Sequence, residues 1–242
     1  EKMSVYAAQI EEMDRGIGRV LATVREIKAE TNTLVFFLSD NGGAAENPKR
    51  GLPGSVLGTR DSFEVYAIEG AHVSSGPFRK TKRFTHEGGI ATPLIACWPA
   101  GIVVPPGGRL IRDTGHLIDL MATCLEVAGT SLPRTWNGAN STPLEGASLV
   151  PAFRAQPVQR HNPLFWEHEG QRAVRDGQWK LVASYNEPWE LYDLEADRTE
   201  LDDLAAAQPG RARELTAKYE AWAARVGVKS WPTLNRAAST KQ

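Results

Sequence analysis

The stretch Leu34-Val35-Phe36-Phe37-Leu38-Ser39-Asp40-Asn41-Gly42-Gly43 changes character abruptly: five apolar residues and a serine, then an Asp-Asn pair and two glycines. Apolar residues without polar alternation suit a strand covered on both faces, the usual state of a parallel strand in an α/β protein. In open α/β sheets the ligand crevice lies beyond the carboxyl ends of the strands, which is where Asp40 and Asn41 fall. Gly42 and Gly43 permit a sharp turn and a close approach of backbone to ligand. A carboxylate beside a carboxamide offers hard oxygen donors of the kind Ca2+ or Mg2+ prefers. The same residues also read as a plain Asp-Asn-Gly turn closing a strand.

Upstream, Met3, Tyr6, Ile10, Met13, Ile17, Val20, Leu21, Val24 and Ile27 recur at three- and four-residue intervals, so one amphipathic helix over 3–29 feeds the strand. Downstream, 44–76 is a long connection rich in Gly, Pro and Ser, a length more often functional than incidental. The segment 79–89 carries Arg79, Lys80, Lys82 and Arg83, four cations within five residues, and closes on Gly88-Gly89. Facing inward, such a loop is an anion site; facing outward, it is a solvated turn. A second buried strand is expected over Pro93–Trp98. Asp113 is placed to cap a helix through Leu117, Leu120, Met121, Cys124 and Leu125, which Gly129 ends. His116 at its start reads as a packed or capping residue. Five prolines between 130 and 163 mark a boundary. Beyond it, 164–166, 172–175, 179–184 and 190–192 read as short strands, with Asp176-Gly177 as a hairpin signal. Pro209 opens a last helix whose stripe of Leu215, Tyr219, Trp222 and Val226 suits packing on that meander. The expected architecture is α/β, divided into 1–155 and a smaller α+β part, 156–242.

Composition narrows the function. With 24% charged and 41% hydrophobic residues and a net charge of -1, nothing favours disorder, nucleic acid or an acidic membrane surface. No apolar stretch approaches the roughly 18 residues of a membrane span. Glu1 is not an initiator residue, so a longer protein is expected. The two cysteines, Cys97 and Cys124, are expected as free thiols in buried elements.

The segments Tyr6–Val20, Asn32–Gly43, Pro77–Gly101 and His116–Gly129, in that order, together with the ending LYDLEADRTELDDLA, resemble the C-terminal half of an arylsulfatase-type sulfatase. The resemblance implies an alkaline-phosphatase-like α/β fold with flanking helices and a smaller C-terminal antiparallel sheet with a helix. It implies hydrolysis of a sulfate ester, with Asp40 and Asn41 as two of four oxygen ligands of a Ca2+ ion. Lys82, five residues before Glu87, matches the family's lysine at the sulfate and leaving-group oxygen, and His86 is a further substrate-binding candidate. An extended loop would turn Arg79, Thr81 and Arg83 away from the face carrying Lys82. Periplasmic or secreted location is common in the family.

One departure bears on chemistry. The formylglycine nucleophile of sulfatases is made in a C/S-x-P-x-R motif, and the 242 residues contain none. Cys97-Trp98-Pro99-Ala100-Gly101 imitates its first half but has Gly101 where arginine is required. The chain by itself is therefore expected to hold part of a site and to be inactive. A phosphatase or phosphonate monoester hydrolase of the same fold is the related alternative. There an Asp-His pair stands at this position and suits Mn2+ or Zn2+ better, so Asn41 favours the sulfatase. A non-catalytic binding module is the alternative from a different class.

Overall fold

The computed structural model describes residues 2–47, 50–102 and 108–231. In chain order the helices are α1 (Lys2–Glu26), α2 (Ala67–Ser75), α3 (Glu87–Ile90), α4 (Ile118–Val127), α5 (Val150–Phe153) and α6 (Pro209–Val226). The strands are β1 (Val35–Leu38), β2 (Leu94–Cys97), β3 (Thr135–Trp136), β4 (Ala139–Asn140), β5 (Leu164–His168), β6 (Gln171–Asp176), β7 (Trp179–Ala183) and β8 (Glu190–Asp193). Packing divides the chain into two compact units. One comprises 1–17, 39–93 and 163–242, and the other 18–38 and 94–162. Glu1, Pro48 and Lys49 of the expected long connection, 103–107 and 232–242 lie outside the described residues.

The first unit is built on the antiparallel sheet β5-β6-β7-β8 in sequence order. Its hairpins form where backbone of positive φ is supplied, by Glu169 and Gly170 and again by Gly177. Strand alternation then sorts side chains by face. Val174, Leu181 and Leu191 pack with Leu215 and Tyr219 of α6. Ala173, Val182 and Tyr192 point the other way, onto Leu194. Pro at the first turn of α6 and Gly227 in the left-handed region at its end bound the helix as the sequence suggests. Trp222 of α6 stacks on Phe165 at 5.0 Å between ring centroids.

In the second unit β1 and β2 form an antiparallel pair, Val35 opposite Cys97 and Leu38 opposite Leu94. The parallel, doubly covered strand expected at 34–38 is thus corrected. An apolar run reports a demand for cover, not a strand direction, and here Phe37 and Ile95 stay 46% and 61% exposed. The ribbon buries Phe36 and Ala96 against Leu149, Val150 and Phe153 around α5. Cys97 and Cys124 are free, as expected, but exposed rather than buried. Asp113 does not cap α4; its carboxylate accepts from the backbone N–H of Val158. The buried carboxylate at this helix start is Asp119 in the first turn of α4, which accepts from the N–H groups of His116 and Ala147. His116 is itself a local cap, its Nδ1 accepting from Ile118. Gly129 ends α4 at φ 63°.

Leu215→Ala should lower stability by about 2–5 kcal/mol through the cavity it leaves between α6 and the sheet. A urea midpoint shifted by less than a conservative surface change would show that α6 does not seal that face.

Candidate functional site: the Asp40-Asn41 turn

Immediately after β1 the chain folds into a turn tied down residue by residue. Thr92 Oγ1 donates to the Ser39 carbonyl, and Ser39 Oγ donates to that of Asn41, each at 2.9 Å. The N–H of Gly43 donates to Ser75 Oγ at 2.9 Å, and that of Ala44 to Tyr66 Oη at 3.1 Å. Gly42 donates its N–H to the carbonyl of Gly89 at 2.9 Å. The two glycine pairs lie directly on one another. A Cβ added to Gly42 would fall 1.9 Å from the Gly88 carbonyl oxygen, and one added to Gly88 would fall 2.3 Å from that of Arg79. These glycines serve an approach of backbone to backbone, where the sequence suggested an approach of backbone to ligand.

The basic loop is held against the same turn. Lys82 donates its backbone N–H to the Gly43 carbonyl at 2.9 Å. Its side chain is 41% exposed, with Nζ 3.9 Å from Glu46. Its neighbours are engaged elsewhere. Arg79 reaches Tyr192 Oη at 2.6 Å, Glu190 at 3.2 Å and the Glu200 carbonyl. Lys80 Nζ lies 5.0 Å above the Phe84 ring, and Arg83 pairs with Glu169. The loop is not extended. Lys80 and Arg83 take φ of 64° and 84°, so the sorting of the cations follows individual partners and not strand alternation.

His86 is fully buried. Its Nε2 lies 3.5 Å from a Glu190 carboxylate oxygen, and its Nδ1 has no hydrogen-bond partner among the described residues. Burial, reinforced by the Lys180 charge, pulls its pKa down to about 4, so the ring is neutral at pH 7. Beside it Lys180, also fully buried, places Nζ 2.8 Å from Glu87 and 2.8 Å from Glu200. Glu200 accepts in turn from the backbone N–H of Glu87 at 2.8 Å. Burial pushes both carboxyls up. For Glu87 the Lys180 charge and hydrogen bond outweigh it and the pKa falls below the usual range; for Glu200 burial prevails and the pKa is raised. Sequence reading missed this group. A lysine at an inward position of the apolar strand Trp179–Ala183 is the one signal that was available.

Ser39, Asn41, Gly43, Tyr66, Ser75 and Thr92 line a cavity of about 550 Å3 with Tyr6, whose ring stacks on Tyr66 at 4.7 Å. The donors of the turn are of the type a Ca2+ ion takes. The Asp40 side chain makes no hydrogen bond or ion pair among the described residues, and Asn41 donates Nδ2 to the Gly42 carbonyl, which leaves Oδ1 unengaged. Two oxygens fit part of such a site. Among the described residues no group of three or more His, Cys, Asp or Glu could hold a metal ion.

Two family models match the chain: sulfatase over residues 1–130, and N-sulphoglucosamine sulphohydrolase, C-terminal, over residues 77–221. The chain belongs to the sulfatase family. This sulfatase chain is 32% identical to an uncharacterized sulfatase of Schizosaccharomyces pombe, across 95% of its own length and 45% of that protein. It is 29% identical to N-acetylgalactosamine-6-sulfatase of Canis lupus familiaris, across 77% of its length and 30% of that enzyme. It therefore spans less than half the length of these relatives. Among solved structures, that of Ps i-CgsB superposes with a TM-score of 0.68 at 23% identity, covering 90% of this chain and 42% of that one. A phosphonate monoester hydrolase of Agrobacterium radiobacter superposes with 0.52 at 22% identity. Likeness at that level speaks for the shared alkaline-phosphatase-like α/β fold and not for one reaction.

The buried neutral His86 makes stability pH-dependent in a stated direction. The folded state releases this proton at about 4 and the unfolded chain near 6.5. Between those values the unfolded state holds the extra proton, so stability falls as pH falls through that window, by up to about 3 kcal/mol. His86→Gln should flatten that part of the urea-midpoint profile. An unchanged slope would assign the pH dependence to other groups.

Proposed function

We propose that the chain contributes to a sulfuric ester hydrolase, with Lys82 as the cation at the sulfate and leaving-group oxygen and Asp40 and Asn41 as two oxygen ligands of Ca2+. The observation that carries this reading is the bond from the Lys82 backbone to Gly43. It ties the Lys82 backbone to the turn that bears Asp40 and Asn41, while the side chains of Arg79, Lys80 and Arg83 have other partners.

Cleavage of a sulfate ester gathers negative charge on the sulfate oxygens and on the departing oxygen. A fixed ammonium offsets that charge in the transition state, and a single point charge does so without the planar, two-pronged geometry an arginine demands. A divalent cation at the turn would, when bound, polarise a sulfate oxygen. Asp40 and Asn41 would hold it through Asp40's carboxylate and Asn41 Oδ1. The formylglycine nucleophile has no counterpart motif in these residues, so the reading concerns binding and charge stabilisation. His86 is buried, with Nε2 toward Glu190, and its place as a substrate-binding residue rests on the family resemblance alone. The division into 1–155 and 156–242 is kept as a proposal for how the α/β part and the small sheet with α6 are organised. N-acetylgalactosamine-6-sulfatase names one sulfated sugar among relatives, and BT4656 was solved with a glucosamine disulfate. A sulfated saccharide is the substrate class these relatives favour.

In the full-length protein, Lys82→Ala should slow hydrolysis of an aryl sulfate by on the order of a hundredfold, by analogy with lost oxyanion donors, and Lys80→Ala far less. Equal loss in both, or loss in Lys80→Ala alone, would overturn the assignment. Asp40→Ala should weaken Ca2+ binding by that protein in calorimetry, and an unchanged affinity would remove Asp40 from the ligand set.

A further inference from the structure

A second pocket, broadly open to solvent and of about 420 Å3, lies in the first unit between the β5-β6 hairpin, the turn before β8 and the residues that follow α6. Its volume falls in the range of small-molecule sites. Tyr219 on its wall is 7% exposed. The ring is fixed edge-on to Trp189 at 5.3 Å and tilted against Trp222 at 5.7 Å. Its hydroxyl makes no hydrogen bond to any described residue and is not sealed off, so the cavity is where its hydrogen-bonding capacity remains to be met. Burial first, and the Glu167 carboxylate second, push its pKa up to about 12, which keeps it an O–H donor at neutral pH.

The other walls combine flat faces with donors and acceptors. Tyr185 lies over the hairpin at Gly170, where an added Cβ would meet its ring at 2.4 Å, and its backbone N–H is pinned by Gln171 Oε1 at 3.2 Å. Trp231 supplies a second ring to the lining. Arg172 is held over Trp189, Cζ to centroid 4.5 Å, with one N–H on the Glu187 carbonyl at 3.0 Å, so further guanidinium donors remain. Glu167 accepts from the Gly170 N–H at 2.9 Å through Oε1, leaving Oε2. The lining pairs Glu167 and Glu187 with Arg172 and Lys229, so it has no excess of either sign with which to select an ion.

We propose that this cavity binds a neutral saccharide unit, with its ring against Tyr185 or Trp231 and its hydroxyls on Tyr219, Glu167 and Arg172. Aromatic faces cover the apolar C–H side of a pyranose, while mixed donors and acceptors meet hydroxyl groups that are both. The site uses neither Lys82 nor the Asp40-Asn41 turn, and it stands whether or not the proposed hydrolase reading does.

The test uses the 242-residue chain with two uncharged probes, lactose and N,N'-diacetylchitobiose, in saturation-transfer NMR and calorimetry, with sodium sulfate as competitor. Millimolar or tighter binding of at least one probe is expected, unaffected by sulfate at matched ionic strength. Tyr219→Phe, which removes one oxygen, should weaken it by about three- to tenfold. Trp231→Ala should reduce ring-proton transfer and serves if the Tyr219 variant fails to fold. Absence of binding by both probes, equal affinity in a folded Tyr219→Phe, or displacement by sulfate would each overturn the proposal.

Discussion

The ammonium of Lys180, fully buried between the carboxylates of Glu87 and Glu200, is the contact on which the geometry of the site depends. Removing one charge from water costs several kcal/mol, and it is tolerated only where opposite charge and hydrogen bonds replace the solvent. Lys180 sits opposite Tyr192 in the register of β7 and β8, on the face of the sheet that α6 does not cover. Its partners therefore come from elsewhere in the chain, Glu87 at the start of α3 and Glu200 after β8. Because Glu200 also takes the backbone N–H of Glu87, the group fixes main chain as well as side chains. Gly88 and Gly89 follow at once, and on them rest Gly42 and the turn with Asp40 and Asn41.

This arrangement explains how four cations in one loop come to have different fates. Arg79 is drawn to Glu190, Tyr192 and the Glu200 carbonyl beside the buried group, and Arg83 to Glu169 of the β5-β6 hairpin. Lys82 has its ammonium 3.9 Å from Glu46 and its side chain 41% exposed. The small sheet thus does more than close the chain's hydrophobic core. It fixes the loop that contains Lys82, and separate faces carry the two tasks, apolar packing under α6 and buried charge toward α3.

Much of the fold was legible because its signals are local. The meander showed itself through Asp176-Gly177 and strand alternation, and α6 through Pro209 and its apolar stripe. The expectations for Asp40, Asn41 and Lys82 came from the ordered resemblance to the family and remain proposals. What stayed hidden depends on contacts distant in sequence. The direction of β1 is set by its pairing with a strand more than fifty residues on, which no apolar run encodes. Glu87, Lys180 and Glu200 are individually ordinary charged residues, and their burial together appears only once the sheet is built. The exposure of Cys97 and Cys124 was missed for the same reason: apolar neighbours in sequence do not guarantee cover in space.

Amide hydrogen exchange at Gly42 and Lys82, in the chain and in Lys180→Met, tests the central claim most directly. Both amides lie in loops yet donate to carbonyls across the glycine lock, so strong protection is predicted in the native chain. Both should lose it together in Lys180→Met, ahead of the amides of β1 and β2. Exchange as fast as in free loops in the native chain, or protection unchanged by Lys180→Met in a folded protein, would contradict the dependence of the site on the buried lysine.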